Sequence, residues 1–270
     1  MLRFIWDPRG YFFWLLIISA ACFVLERLIP WRKEQRAFRT GFGQDVFFLV
    51  FNGHFAGVLL AMATAKLVNA AAGLLGFDAA LPWTHLNILA PYPLWVQFLG
   101  YLVLKDFMEW CIHIGLHRTP WLWQFHKLHH SIRELDWIGN FRFHWMEIVV
   151  YRSLTYFPLV ILGLDGRVIL AVALFATLVG HLNHANLHWD YGPLRYLFNS
   201  PRLHVWHHDI VTHGKGGQNF AIVFSVWDWL FGTIYYPKDR EQPEQLGFKD
   251  MQRFPGTLIK RLLYPLAGSR

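Results

Sequence analysis

"VFFLVFNGHFAGVLLAMATA", residues 46–65, carries no Asp, Glu, Lys or Arg. About 20 residues of this kind are needed to cross the hydrocarbon of a bilayer, and the apolar character continues past Lys66 to Phe77. Working outward, "YFFWLLIISAACFVL" (residues 11–25) is a second uncharged run, bounded by Arg9 and by Glu26 and Arg27. A cleaved leader is the competing reading of that run. It has a weak basic start and no good cleavage pattern, so a membrane helix is expected. Residues 94–104 begin a third helix that turns polar at Lys105, Asp106 and Glu109. Residues 148–164 and 168–180 then read as a hairpin hinged on "GLDGR". The expected fold is an all-α integral membrane helical bundle with four or five membrane segments.

Composition agrees with that expectation. Of 270 residues, 54% are hydrophobic, 18% aromatic and only 16% charged, whereas soluble domains average nearer a quarter charged. The 14 tryptophans suit long stretches at a membrane interface. The formal charge of +7 is spread between apolar runs and forms no single patch, which argues against nucleic acid as a partner. Cys22 and Cys111 lie in apolar stretches with no zinc or disulfide spacing, and both are expected to pack.

Charge also sets an orientation. "PWRKEQRAFRTGFGQD" (residues 30–45) holds Arg32, Lys33, Arg36 and Arg39, while residues 78–93 hold no Lys or Arg. The positive-inside rule then makes the first segment cytoplasmic and the second external. Carried through the third helix and the hairpin, the rule places residues 118–145 and those after about 182 on the cytoplasmic side. A helical cytoplasmic cap on the bundle is expected there.

That cap holds the unusual residues. Ten of the 15 histidines fall into four short groups: "HIGLH" (His113, His117), "HKLHH" (His126, His129, His130), "HANLH" (His184, His188) and "HVWHH" (His204, His207, His208). On a helix, positions three and four apart share a face, so each group aims its rings one way. Ten imidazoles exceed the three or four ligands of one zinc site, and two metal ions are the economical count. Imidazole suits iron, zinc, copper and nickel. No HExxH is present to supply the base of a zincin. Iron with open positions activates dioxygen, which beside a membrane points to a C–H bond of a lipid. Asp106 and Glu109 precede His113 on its helical stripe and are expected to accept ring N–H groups from the ligands. Asp136, Asn186 and Asp209 are weaker candidates. His54 and His85 stand alone and read as structural, and His144, His181 and His213 are left outside the ligand set.

The motifs "KDFMEWCIHIGLHRTPWLWQFHKLHHS", "NSPRLHVWHHD" and "NFAIVFSVWDWLFGTIYYP", the last with a "WDxLFGT" signature, resemble the fatty acid hydroxylase superfamily over residues 100–237. "HANL" and "GPLRYLFNSPR" are similar to its bacterial sterol-desaturase-like branch. The resemblance implies a membrane enzyme with two iron ions held by the ten histidines, zinc being a substitute in preparations. It also implies dioxygen, a lipid substrate (sterol, fatty acyl or alkyl-ether) and a separate electron donor such as a ferredoxin, cytochrome or reductase. The expected outcome is hydroxylation or desaturation, in a bacterial inner membrane or, in a eukaryote, the endoplasmic reticulum. Residues 1–93 would be the anchor, 94–237 the histidine-bearing catalytic region and 238–270 a polar surface tail of a single domain. A zinc-dependent non-oxidative lipid enzyme, or a lipid-binding membrane protein with a structural metal centre, are the alternatives.

Overall fold

The computed structural model describes residues 5–75 and 87–266. His85 and most of the expected external loop lie outside the described residues. Ten α-helices follow in order among them. They are α1 (Tyr11–Leu28), α2 (Phe42–Val50), α3 (Ala56–Leu75), α4 (Leu94–Arg118), α5 (Pro120–His130), α6 (Trp145–Leu162), α7 (Gly166–His184), α8 (Pro201–His207), α9 (Val226–Phe231) and α10 (Leu258–Leu263). No strand is present among the described residues, so the all-α expectation holds.

Three segments are long and apolar enough to cross a membrane: Tyr11–Leu28, Phe42–Leu60 and Gly166–His184. Each grows from an apolar run in the sequence, and the second joins α2 to α3 through a π-helical turn, Phe51–Phe55. At that turn a Cβ on Gly53 would lie 2.6 Å from Leu15 Cδ2, so the glycine lets α1 pass close by. The neighbouring Asn52 is buried, and its amide donates to Phe141 O and Phe143 O. The "GLDGR" hinge behaves as a helix boundary. Gly163 ends α6 with a positive φ of 62°, where a Cβ would lie 2.7 Å from Asn87 Cα. Asp165 caps α7 by accepting from Arg167 N.

The first 45 residues do more than anchor. α1 packs on α7 and on the 3₁₀ turn Trp137–Phe141, in a core containing Phe12, Leu15, Cys22, Leu49, Ile138 and Leu187. Arg39 pairs with Asp45 and Asp136, while Arg142 grips both oxygens of Asp45, all four side chains being buried. Burying charges is tolerable only with such complete pairing. The network ties the 30–45 segment to the chain immediately after "HKLHH". Cys22 packs in the core as expected, but Cys111 is exposed on α4.

The tail is also more than a polar surface. Gly247 N donates to His208 O, Phe248 is buried against Trp123, and the Leu262 carbonyl accepts from Trp145 Nε1. Residues 247–262 therefore cross one face of the histidine region.

Candidate metal centre

The histidines gather into two groups. His113, His117, His126, His130 and His207 form one, and His129, His184, His204 and His208 form the other. Within each group one ring nitrogen per residue lies within 4.8 Å of all the others. Helix geometry explains the division. On α5 the i and i+4 rings, His126 and His130, enter the five-histidine group, while the i+3 ring, His129, turns to the other. On α8 and its C-cap the pattern is reversed: His204 and His208 enter the four-histidine group and His207 the five. α4 completes the first group and α7 the second.

Several rings are locked from behind. His113 Nδ1 donates to Phe220 O at 2.7 Å, His207 Nδ1 to Gln218 O at 2.9 Å and His184 Nδ1 to Gly180 O at 2.8 Å. A carbonyl can only accept, so each of these rings must turn a bare Nε2 lone pair inward. His126 Nδ1 is hydrogen-bonded to Glu147 Oε2 at 2.5 Å. Glu147 is itself fixed by His144, which caps α6 in a reciprocal capping box.

The inward nitrogens fit a cation. His207 Nε2 is buried without a hydrogen-bond partner. His113 Nε2 faces His126 Nε2 at 3.2 Å, and His184 Nε2 faces His129 and His204 at 3.3 and 3.1 Å. Converging lone pairs repel one another unless a positive charge sits among them, and imidazole–metal bonds of about 2 Å suit such spacings. Burial first, and then the neighbouring imidazoles, push His126, His129, His130, His204 and His208 well below the ordinary imidazole range. Rings that stay neutral are the form that binds metal.

His188 is not brought in. Its ring is 45% exposed, 3.5 Å from Glu241 and tilted over Trp31. α7 ends at His184, and Ala185 is already extended, so the i, i+4 stacking that would align His188 with His184 is lost. Asn186 enforces the turn: its side chain brackets the backbone of Arg32, and its N–H donates to Glu26. Nine of the ten expected histidines therefore converge.

The expected carboxylates also sit elsewhere. Asp106 accepts from Val223 N, Phe224 N and Trp227 Nε1, and Glu109 pairs with Lys105 at 2.6 Å. Neither bonds to a histidine among the described residues, and at His113 Nδ1 the acceptor is Phe220 O. Asp136 serves Arg39, and Asp209 bonds His213. His181 bonds Ser19 and Asn140 beside the cluster, outside both groups. His54 packs between Phe12 and Phe55. The residues that do back the cluster, Glu147 and the 218–221 segment, were missed. "HWME" held a capping-box spacing that could have exposed Glu147; main-chain carbonyls leave no such trace.

Comparison with known proteins places this arrangement. The family model described as fatty acid hydroxylase matches residues 98–233. The chain is 31% identical over 215 residues to the ornithine lipid hydroxylase OlsE of Rhizobium tropici, covering 79% of this chain and 63% of that one. It is 27% identical to the very-long-chain aldehyde decarbonylase GL1-11 of Oryza sativa subsp. indica, over 65% of this chain and 63% of the relative. It is 24% identical to methylsterol monooxygenase 1-3 of Arabidopsis thaliana, over 65% and 59%. The chain thus spans about three fifths of the length of these relatives. No solved structure matches it.

Proposed function

The chain belongs to the fatty acid hydroxylase family, and from that premise we propose that it is a membrane-bound, iron-dependent oxygenase acting on a C–H bond of a lipid. One observation carries the reading: nine imidazoles, eight of them buried, present their donor atoms in two adjacent groups. A pair of iron ions held there would supply dioxygen activation, with electrons from a separate donor. In this reading His113, His117, His126, His130 and His207 hold one ion, and His129, His184, His204 and His208 the other.

The chain's own residues then set the conditions for that chemistry. Glu147, Phe220 O, Gln218 O and Gly180 O fix ring orientation and tautomer. Burial keeps bulk water from the inner nitrogens. An apolar groove of about 730 Å³ between α4 and α9, lined by Leu99, Val103, Leu104, Phe107, Leu230 and Phe231, offers acyl-like surroundings beside the His113 helix. Names of relatives favour hydroxylation over desaturation, since two of the three act as a hydroxylase or monooxygenase. By the positive-inside rule the basic 30–45 segment supports a cytoplasmic position for the centre. In this reading residues 1–93 serve as the anchor and 94–237 carry every ligand, while residues 247–262 lie across one face of the centre.

The test is expression in a host lacking related enzymes, with mass analysis of total membrane lipids. A gain of one oxygen supports hydroxylation, and a loss of two hydrogens converts the proposal to desaturation. Unchanged lipids, together with a zinc-loaded protein that takes up no dioxygen in the presence of reductant, would sink it.

A further inference from the structure

Two groups that never touch, Asp228 and His113, are joined through a single peptide. The carbonyl of the Phe220–Ala221 unit accepts from His113 Nδ1 at 2.7 Å, and its N–H donates to Asp228 Oδ2 at 2.8 Å. A trans peptide is rigid and planar, with its C=O and N–H on opposite edges, so fixing one edge fixes the other. Asp228 is buried and also accepts from Phe220 N, Trp110 Nε1 and Thr233 Oγ1. The Gln218–Asn219 peptide repeats the device. Its carbonyl accepts from His207 Nδ1 at 2.9 Å, and its N–H donates to Thr233 O at 3.0 Å. The Asn219 side chain pins the turn between the two peptides, donating to Leu203 O and Tyr235 O.

Both His113 and His207 belong to the five-histidine group. No ring of the four-histidine group bonds to residues 218–221 among the described residues. His184 is held by Gly180 O, and the buried Nδ1 atoms of His129, His204 and His208 have no partner. We propose that Asp228, with Thr233, is a positioning residue for the five-histidine group alone, acting through these two peptide planes. The proposal rests on the reading of that group as a metal site. Its electrostatic component follows from the chain of bonds. A carboxylate on the N–H edge polarises the peptide, strengthens the carbonyl as acceptor for His113, and makes the far ring nitrogen a better donor.

The experiment counts metal per chain after anaerobic loading of the detergent-purified protein with ferrous iron and removal of loose ions. Wild type should hold two. Asp228→Asn keeps the shape but replaces acceptor oxygen with an amide facing N–H donors, and should retain about one. His204→Ala, which damages the other group, should also retain about one, and the double variant none. Asp228→Asn that keeps both ions, loses both, or still holds one in the His204→Ala background overturns the proposal. Where Asp228→Asn is not recovered folded, Thr233→Val removes one bond to the carboxylate. It should speed chelator release of one ion on the order of 10-fold; unchanged release of both, or equal acceleration of both, overturns the proposal. A wild-type chain that binds no metal defeats the metal-site reading instead, so the two failures are distinct.

Discussion

The five-histidine and four-histidine groups share two helices and differ in what stands behind their rings. Three rings of the larger group are fixed from outside, by Phe220 O, Gln218 O and Glu147. In the smaller group only His184 has such a partner among the described residues, and its rings lean on one another through the Nε2 series His129, His184, His204 and His208. Both groups bring Nε2 atoms together, and the larger does so between His113 and His126 and between His117 and His130. The difference lies behind the rings, where the larger group is held mainly by the scaffold and the smaller mainly by its own members. The lesson is that equal residue types at equal spacing need not make equal sites, because donor orientation comes from the far side of the ring.

The comparison can be broken at several points. The largest effect is expected from His207→Ala and His204→Ala, one ligand from each group. Each should lower lipid turnover on the order of 10³-fold or more, since in the proposed centre the two ions would act as a unit. Each should also cost only its own ion, by metal analysis. Loss of both ions from either variant would mean that the groups are not separable. Next comes Asp45→Ala, which strands Arg142 in the interior and leaves Arg39 with Asp136 as its one carboxylate. It should cost about 3–5 kcal/mol of stability, read as a lowered denaturation midpoint in detergent. A midpoint unchanged by this variant would mean that the anchor segment is not held by its buried charges.

Glu147→Gln should weaken the ion of the larger group about 10–100-fold and leave the other alone, as followed by chelator titration. In wild type the same titration should be biphasic, with the sparsely backed four-histidine ion released first. A single phase would mean that the two groups hold their ions equally. The smallest effect belongs to His188→Ala, which should leave two ions per chain and unaltered turnover. An ion lost there would return His188 to the ligand set.

Much of this site was legible before folding. The HxxxH and HxxHH spacings announced shared faces, and nine of the ten rings they nominated do converge. The failure at His188 has a local cause that spacing alone conceals. "HANLH" has helical periodicity, yet α7 stops at His184 because Asn186 finds its partners on Arg32, far away in sequence. Asp106 and Glu109 were nominated by proximity on the helix, but a distant carbonyl had already filled the position they were meant to serve. The apolar runs at 11–25 and 46–65 matured into α1 and the α2–α3 segment, and the polar tail turned out to lie across the centre.

The sequence by itself determined the helical, membrane-suited architecture and the chemistry of the ligand set. Both depend on local periodicity and residue type, which any short window displays. Only the tertiary structure decided how nine rings divide into five and four, and which groups hold them from behind. Those holders are mostly main-chain carbonyls, and every residue carries one. Which carbonyl meets which imidazole is therefore written nowhere in the side chains, and is settled by the folded backbone, whether the partner lies 107 residues away, as for His113, or 11, as for His207.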